Sequence, residues 1–353
     1  MDPQRIHRIM SGQDRSAAAR LLRCALAGAS LPYAAATWLR RRLYRWGVFR
    51  SSRAKVPVIC VGNLTTGGTG KSPMVAWVVD ALQQMGHRPA ILSRGYKACN
   101  GRSDEAEMLW RQTAAEVFIG SDRVASAARA VEEGSDVLVM DDGFQHLKLA
   151  RDLNIVLIDA INPFGYGWTL PRGMAREPRG ALSDADVVVI THCDRIQPER
   201  LESLSAHLER LAPQAMHCWA EHKPIAVIDE FGDYRDLSLL KGKDVYAFAA
   251  IANPEQFFQT AGDLRAELRG QLGLADHAEL TGRTIESINT QAGRSGASVL
   301  LTTQKDFARL SRTDFALPLW QIAIEIDLFD SQQQLIERIA RTIGEPTGLE
   351  SAE

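Results

Sequence analysis

The chain predicts an α/β fold, a doubly wound parallel sheet with a second, smaller α/β domain after it and a helical segment before it. Three observations predict this. The apolar run Val56–Val61 ends at Gly62 and leads through a glycine-rich turn into a helix from Pro73 to Met85, which reads as buried strand, turn and helix in order. Beyond it, short β-branched runs alternate with helical stretches, as strands of a parallel sheet alternate with their crossovers. The polar residues that stand out fall where those strands end, the edge at which such sheets gather ligands.

With 353 residues, 45% of them hydrophobic, and a net charge of -2, the chain is long enough for about two folded domains. Five scattered cysteines, 24, 60, 99, 193 and 218, form no CxxC pair, the usage of free thiols in a reducing compartment rather than of a disulfide frame or zinc site. Charge is uneven: from Arg15 to Lys55 there are ten Arg or Lys and no acid.

The first segment, residues 1–55, is expected to be basic, amphipathic and membrane-associated. Its uncharged stretch Cys24–Leu39 spans about 24 Å as a helix, short of the ~30 Å hydrocarbon core. A secretory signal would separate a nucleotide enzyme from its nucleotide. An interfacial helix remains, with Trp38, Leu39, Leu43, Tyr44, Trp46 and Phe49 as apolar contacts and Arg40, Arg41, Arg42, Arg45 and Arg50 for lipid phosphates. The competing reading packs this helix on the protein's own core; the interleaving of aromatics with arginines favours the membrane.

Residues 56–220 form the expected principal domain. Its organising stretch, Val56 to Met74, contains the pattern G-x-G-K-S of a phosphate-binding loop, with Thr65 where the full pattern wants a first glycine. Thr65, Thr66, Gly67, Gly68, Thr69, Gly70, Lys71 and Ser72 would cradle ATP. The glycines let backbone N–H groups turn inward, Lys71 reaches the β and γ phosphates, and Ser72 binds Mg²⁺. Strands are expected at Ala90–Ser93, Val117–Ile119, Asp136–Asp141, Ile155–Asp159 and Val187–Thr191, with a helix from Asp122 to Glu133. The run Val137–Asp141 is an apolar strand ending in a carboxylate, so Asp141 is placed to hold Mg²⁺ opposite Ser72, and Asp142, Gln145 and His146 follow it. Residues 221–353 form the expected second domain, with strands Val245–Ala249 and Val299–Thr302, a helix Asn253–Ala261, a return helix Ser331–Ile343 and a frayed tail from Gly344.

Taken together, GNLTTGGTGKSP, SRGY at Ser93–Tyr96, SDEAEML at Ser103–Leu109, DDGFQH at Asp141–His146, LPRGMAREP at Leu170–Pro178, IANPEQFF at Ile251–Phe258, DH at Asp276–His277 and TTQKD at Thr302–Asp306 give a chain that resembles the tetraacyldisaccharide 4'-kinases of Gram-negative-type envelopes. The ordered set covers nearly the whole chain. The resemblance implies transfer of the ATP γ-phosphoryl group to the 4'-hydroxyl of a lipid-linked disaccharide 1-phosphate, giving lipid IVA, at the cytoplasmic face of the inner membrane. No nucleic acid and no obligate protein partner are implied. By the same resemblance Asp104 is the candidate base, supported by His277, while Glu105, Asp141 and Asp142 belong to the Mg²⁺ and catalytic cluster. An anionic acceptor requires further cations, for which Arg94, Arg123, Arg172 and Arg176 stand in or beside the motifs, and Asn63, Tyr96, Gln145 and His146 complete the expected substrate set. The chain departs from the family in four places: Phe144 for Leu, Ser72 for Thr, Ser103 for Gly, and Gln304 for Glu, the last removing a carboxylate.

Two other classes fit a phosphate-binding loop. A membrane-bound ATPase switch would carry a signature lysine before the glycine pair, where this chain has Thr66, and a GTPase would carry N-K-x-D, whereas Thr191–Asp194 and Thr303–Asp306 both lack Lys in the second place.

Overall fold

The computed structural model describes residues 3–95, 104–251, 253–275, 278, 280–308, 310 and 314–344. The chain divides into two compact units, one of Met1–Arg102, Leu109–Glu221 and Ile326–Glu353, the other of Ser103–Met108 and His222–Glu325.

The first unit runs through α1 (Pro3–Ser11), α2 (Ala17–Arg45), β1 (Val58–Asn63), α3 (Lys71–Gln84), β2 (Pro89–Ser93), α4 (Asp104–Thr113, whose first residues count with the second unit), β3 (Glu116–Ile119), α5 (Arg123–Glu132), β4 (Val137–Asp141), β5 (Leu153–Asp159), β6 (Val187–Thr191), α6 (Pro198–Leu211) and β7 (Met216–Trp219). Its seven strands lie in the order β3-β2-β4-β1-β5-β6-β7, all neighbours parallel. Strand side chains alternate between faces, and both faces are apolar. Val58, Cys60, Leu138 and Met140 share one core with Ala127 and Ala130 of α5 and Leu204 and Leu208 of α6. Ile59, Val61, Val137 and Val139 share the other with Met74, Val78 and Leu82 of α3. Helices on both faces of a parallel sheet are the doubly wound arrangement expected.

In the second unit β8 (Glu221–Ile228), β9 (Tyr234–Arg235), β10 (Asp244–Ala249), α7 (Pro254–Asp263), β11 (Glu267–Gly273), α8 (Gly282–Ser295), β12 (Val299–Thr303), α9 (Gln304–Phe307) and β13 (Leu319–Asp327) form a sheet ordered β11-β10-β12-β13-β8-β9. Phe257, Phe258 and Ala261 of α7 cover one face, and Ile288 and Ala292 of α8 the other.

Two expected boundaries shift. The return helix α10 (Gln332–Ile343) belongs to the first unit, because its Leu335 and Ile339, one helical turn apart, bury in the core beside α3 together with Ile326 and Leu328. The second unit therefore ends at Glu325 rather than running to residue 353. The N-terminal segment is not a separate body either: α2, 29 residues long, counts with the first unit and buries Ala19, Ser30 and Arg41. Its Leu21, Leu31, Trp38 and Leu39, with Trp46, Val48 and Phe49 after it, stay exposed. One line of α2 is thus packed on the protein, as the competing reading has it, and another line is bare. Among the described residues no helix is long and apolar enough to cross a membrane.

Candidate active site

The glycine-rich turn joins β1 to α3. Gly67 and Gly70 take φ of 125° and 81°, values that favour glycine, and Gly70 caps α3 with no side-chain hydrogen bond, an uncapped helix N-terminus of the kind that suits an anion. Lys71 opens the helix. Neighbouring segments hold the turn from three sides. Asn63 Nδ2 donates to Thr69 Oγ1 at 2.8 Å, Thr191 Oγ1 to the Thr69 carbonyl at 3.2 Å, and Thr66 N to the Met174 carbonyl at 2.8 Å. Thr65, in the missing glycine's place, is buried and bridges to Ala175, so a β-branched residue serves there as edge pairing.

Strand β4 lies beside β1 with Val61 opposite Asp141, which sets the first acid next to the turn. Asp141 is buried; Ser93 Oγ stands 3.5 Å from its Oδ2, and its carbonyl accepts from Arg123 Nη2 at 3.0 Å. Asp142 follows in the left-handed region at φ 50°. Its carboxylate accepts from Arg176 Nη1 at 2.8 and 2.7 Å and lies 3.7 Å from Lys71 Nζ. Burial would raise its pKa, but Lys71, Arg176 and Arg123 outweigh that and hold it below the ordinary value. Arg176 Nη1 also reaches Gln145 Oε1 at 3.2 Å, and Gln145 Nε2 donates to the Asn63 carbonyl at 2.8 Å. Lys71, Asp142, Arg176, Gln145 and Asn63 are therefore one connected network at the carboxyl ends of β1 and β4.

The expected substrate residues divide. Arg94 is exposed at the end of β2. Arg123 is buried, its guanidinium held by the carbonyls of Gly120 and Asp141, and Asn63 is fully enclosed. Those two shape the site from behind. Burial, with Arg123, Arg151, Arg40 and Lys148 around it, lowers the His146 pKa to about 4, which leaves a neutral imidazole. Its Nε2 is buried with no hydrogen-bond partner among the described residues. Arg172 turns to the N-terminal helices, its Nη1 donating to the Met10 carbonyl at 2.8 Å. Tyr96 and His277 lie outside the described residues, and Asp104 and Glu105 are described only as backbone at the start of α4.

A model of the family "Tetraacyldisaccharide-1-P 4'-kinase" matches residues 22–344. A tetraacyldisaccharide 4'-kinase of Anaeromyxobacter sp. (strain K) is 40% identical over 313 residues, 81% of this chain and 82% of its own, and one of Pelobacter propionicus is 38% identical over 323 residues, 86% and 87% of the two chains. The chain belongs to the tetraacyldisaccharide 4'-kinase family. It is similar in structure to LpxK from Aquifex aeolicus, a protein solved in complex with ATP, with a TM-score of 0.71 and 25% identity over 92% of this chain and 100% of that one. The activity is that of a lipid A 4'-kinase, and the switch ATPase and GTPase readings fall away.

Two departures from the family pattern find structural reasons. Gln304 Oε1 accepts from Ile324 N at 3.2 Å, a task an amide oxygen performs as well as a carboxylate, and the carboxylate of that motif that is buried is Asp306, which accepts from Ala250 N and from Thr303 Oγ1, both at 2.9 Å. Phe144 is fully buried under the guanidinium of Arg41, whose Cζ stands 4.5 Å from the ring centroid. Sequence reasoning missed the partners of the turn, Thr191 and the segment 174–176, and it missed Glu177, buried against Arg41. Glu177 lies inside the motif LPRGMAREP, and that was its one signal.

Proposed function

We propose that this site transfers the γ-phosphoryl group of ATP, with Mg²⁺, to the 4'-hydroxyl of a tetraacyldisaccharide 1-phosphate at the cytoplasmic face of the inner membrane. The observation that carries the reading is the Lys71–Asp142–Arg176 cluster beside the glycine turn, where two cations meet one acid at the N-terminus of α3. Residues 65–72 hold the phosphates, and Lys71 leaves Asp142 to meet the transferring group. Ser72 and Asp141 are hard oxygen donors on adjacent elements and fit Mg²⁺, with Glu105 as a further carboxylate. Among the described residues no cluster of three or more His, Cys, Asp or Glu makes a metal cage, and Mg²⁺ ordinarily takes one or two carboxylates and fills its shell with phosphate and water. Bound there, the metal neutralises charge developing on the phosphates.

The acceptor oxygen bonds to the γ phosphorus as the bond to the bridging oxygen breaks, and ADP leaves. Asp104 takes the hydroxyl proton, with His277 as its tuning partner, and Asp142 is the other catalytic acid. Arg94, Arg176, Gln145, His146 and Tyr96 are assigned to binding the lipid's sugar and phosphate. Arg123 and Asn63 support them from behind. The membrane-facing part is the bare line of α2, where Trp38 and Leu39 lie beside Arg42, an arrangement that suits a peripheral, interfacial helix.

The residue roles are separable by kinetics. Asp104→Asn lowers kcat by about 10²-fold with KM for ATP nearly unchanged, and Asp141→Asn shifts the Mg²⁺ requirement. His277→Ala resembles Asp104→Asn, and the pair together is little worse than either, because residues that act as a unit are non-additive. Additive losses, or an Asp104 variant whose only defect is Mg²⁺ affinity, move the base elsewhere, with Asp142 next in line.

A further inference from the structure

The turn Asp141–His146 is packed hard on β1 from one side. A Cβ on Gly62 would stand 2.6 Å from Phe144 Cβ and 2.8 Å from Phe144 N, so the Phe144 backbone occupies the space that only glycine leaves. Gly143 N donates to the Val61 carbonyl at 3.2 Å on the same side. The carbonyls of Phe144 and Gln145 are taken by α2. Arg41 Nη2 donates to the Phe144 carbonyl at 3.2 Å, and both terminal nitrogens of Arg40 donate to the Gln145 carbonyl at 3.0 Å. Arg41 also pairs with Glu177 and with Asp184, the former following Arg176 directly in the chain. Arg176 is the residue whose guanidinium holds Asp142 and Gln145.

One guanidinium thus ties the backbone of the acid turn to the segment that carries its main cation. The two arginines were expected to meet lipid phosphate, yet Arg41 is 7% exposed and its visible partners are a carbonyl, two carboxylates and a buried ring. Arginine suits the position because its planar fork presents several donors in fixed directions, which a lysine ammonium on a flexible stem does not.

We propose that Arg40 and Arg41 of α2 are positioning residues for phosphoryl transfer, which fix the Phe144–Gln145 backbone and so the placing of Asp142, Gln145 and Arg176. As positioning residues they act through these three residues rather than on nucleotide or acceptor. The helix that bears the bare apolar line is therefore also a wall of the catalytic turn. This inference rests on the catalytic role proposed above for Asp142.

The test compares Arg40→Lys, Arg41→Lys and Asp142→Asn in the full-length protein. Each is assayed for kcat, for KM for ATP, and for sedimentation with vesicles of phosphatidylglycerol and phosphatidylcholine. A small misplacement of reacting groups costs up to about 10²-fold in rate, so each lysine variant is expected to lose about tenfold or more in kcat, with KM for ATP within about twofold and vesicle binding retained. Arg41→Lys leaves Glu177 and Asp184 with a charge but loses the third arm to Phe144. Should it fold poorly, Arg40→Lys still decides, because Arg40 is only part-buried and the bonds described for its guanidinium go to the Gln145 carbonyl, which leaves less of the fold resting on it. Unchanged kcat in Arg40→Lys, or a loss confined to vesicle binding, overturns the inference. If Asp142→Asn itself retains full kcat, the reading of the acid fails instead, and the two failures are told apart.

Discussion

His146 is ringed by Arg123, Arg151, Arg40 and Lys148 and partly enclosed, and these together bring its pKa to about 4 from the ordinary 6.5. The sign of the consequence is fixed by linkage. Between those two values the unfolded chain binds more protons than the folded one, so stability is whole above pH 6.5 and falls as pH drops toward 4. His146→Gln removes the titrating group and is expected to flatten the fall of Tm between pH 6.5 and 4.5 relative to the parent; parallel curves would mean that the imbalance lies in other residues. At the residue scale the motif letters were legible because phosphate chemistry demands them: glycines at positive φ, a lysine, a hydroxyl and a strand-end acid. Thr65 was legible only as a defect, since its pairing with Ala175 depends on a segment more than a hundred positions away. The same holds for Arg123, which reads as a substrate cation in one dimension and serves the Asp141 carbonyl in three.

At the scale of elements, β1, β4, β5, β6 and α5 were readable from runs of β-branched residues and from the cap Asp122, whose carboxylate accepts from Val124 N at 3.0 Å. Strands β7, β8, β9, β11 and β13 were not. In β11 exposed and half-buried residues alternate, and β9 is a two-residue exposed edge, so neither carries the continuous apolar run of a buried strand. The contact between β1 and the acid turn makes a sharp prediction. Gly62→Ala puts a methyl group against Phe144 backbone and Cβ, an overpacking that costs about 1–3 kcal/mol and displaces the turn. A drop in Tm together with a fall in kcat is expected, and a variant as stable and as active as the parent would show that the turn yields freely.

For the whole molecule, the division into units departed from expectation where packing overruled chain order. Helix α10 returns to the first unit because its Leu335 and Ile339 complete that sheet's core, and a sequence pattern shows an apolar face without showing what it covers. Helix α2 shows the same limit, since its arginines divide between Arg41, buried on the catalytic turn, and Arg42, stacked on the exposed Trp38 at 5.3 Å. Replacing Trp38, Leu39, Trp46 and Phe49 by Ser is expected to abolish sedimentation with anionic vesicles while Tm stays within a few degrees, because these side chains are half-exposed and contribute little to the core. Sedimentation unchanged in that variant would place the membrane contact elsewhere. The central claim, that the glycine turn and the acid pair beside it make this chain a 4'-kinase of a lipid disaccharide, is tested most directly by product. The protein is incubated with ATP, Mg²⁺ and tetraacyldisaccharide 1-phosphate in detergent, beside a Lys71→Ala variant with an unchanged circular dichroism spectrum. The account predicts a bisphosphorylated lipid and ADP in equal amounts from the parent and neither from the variant. ADP without phosphorylated lipid, or product from the Lys71→Ala protein at the parent's rate, would contradict it.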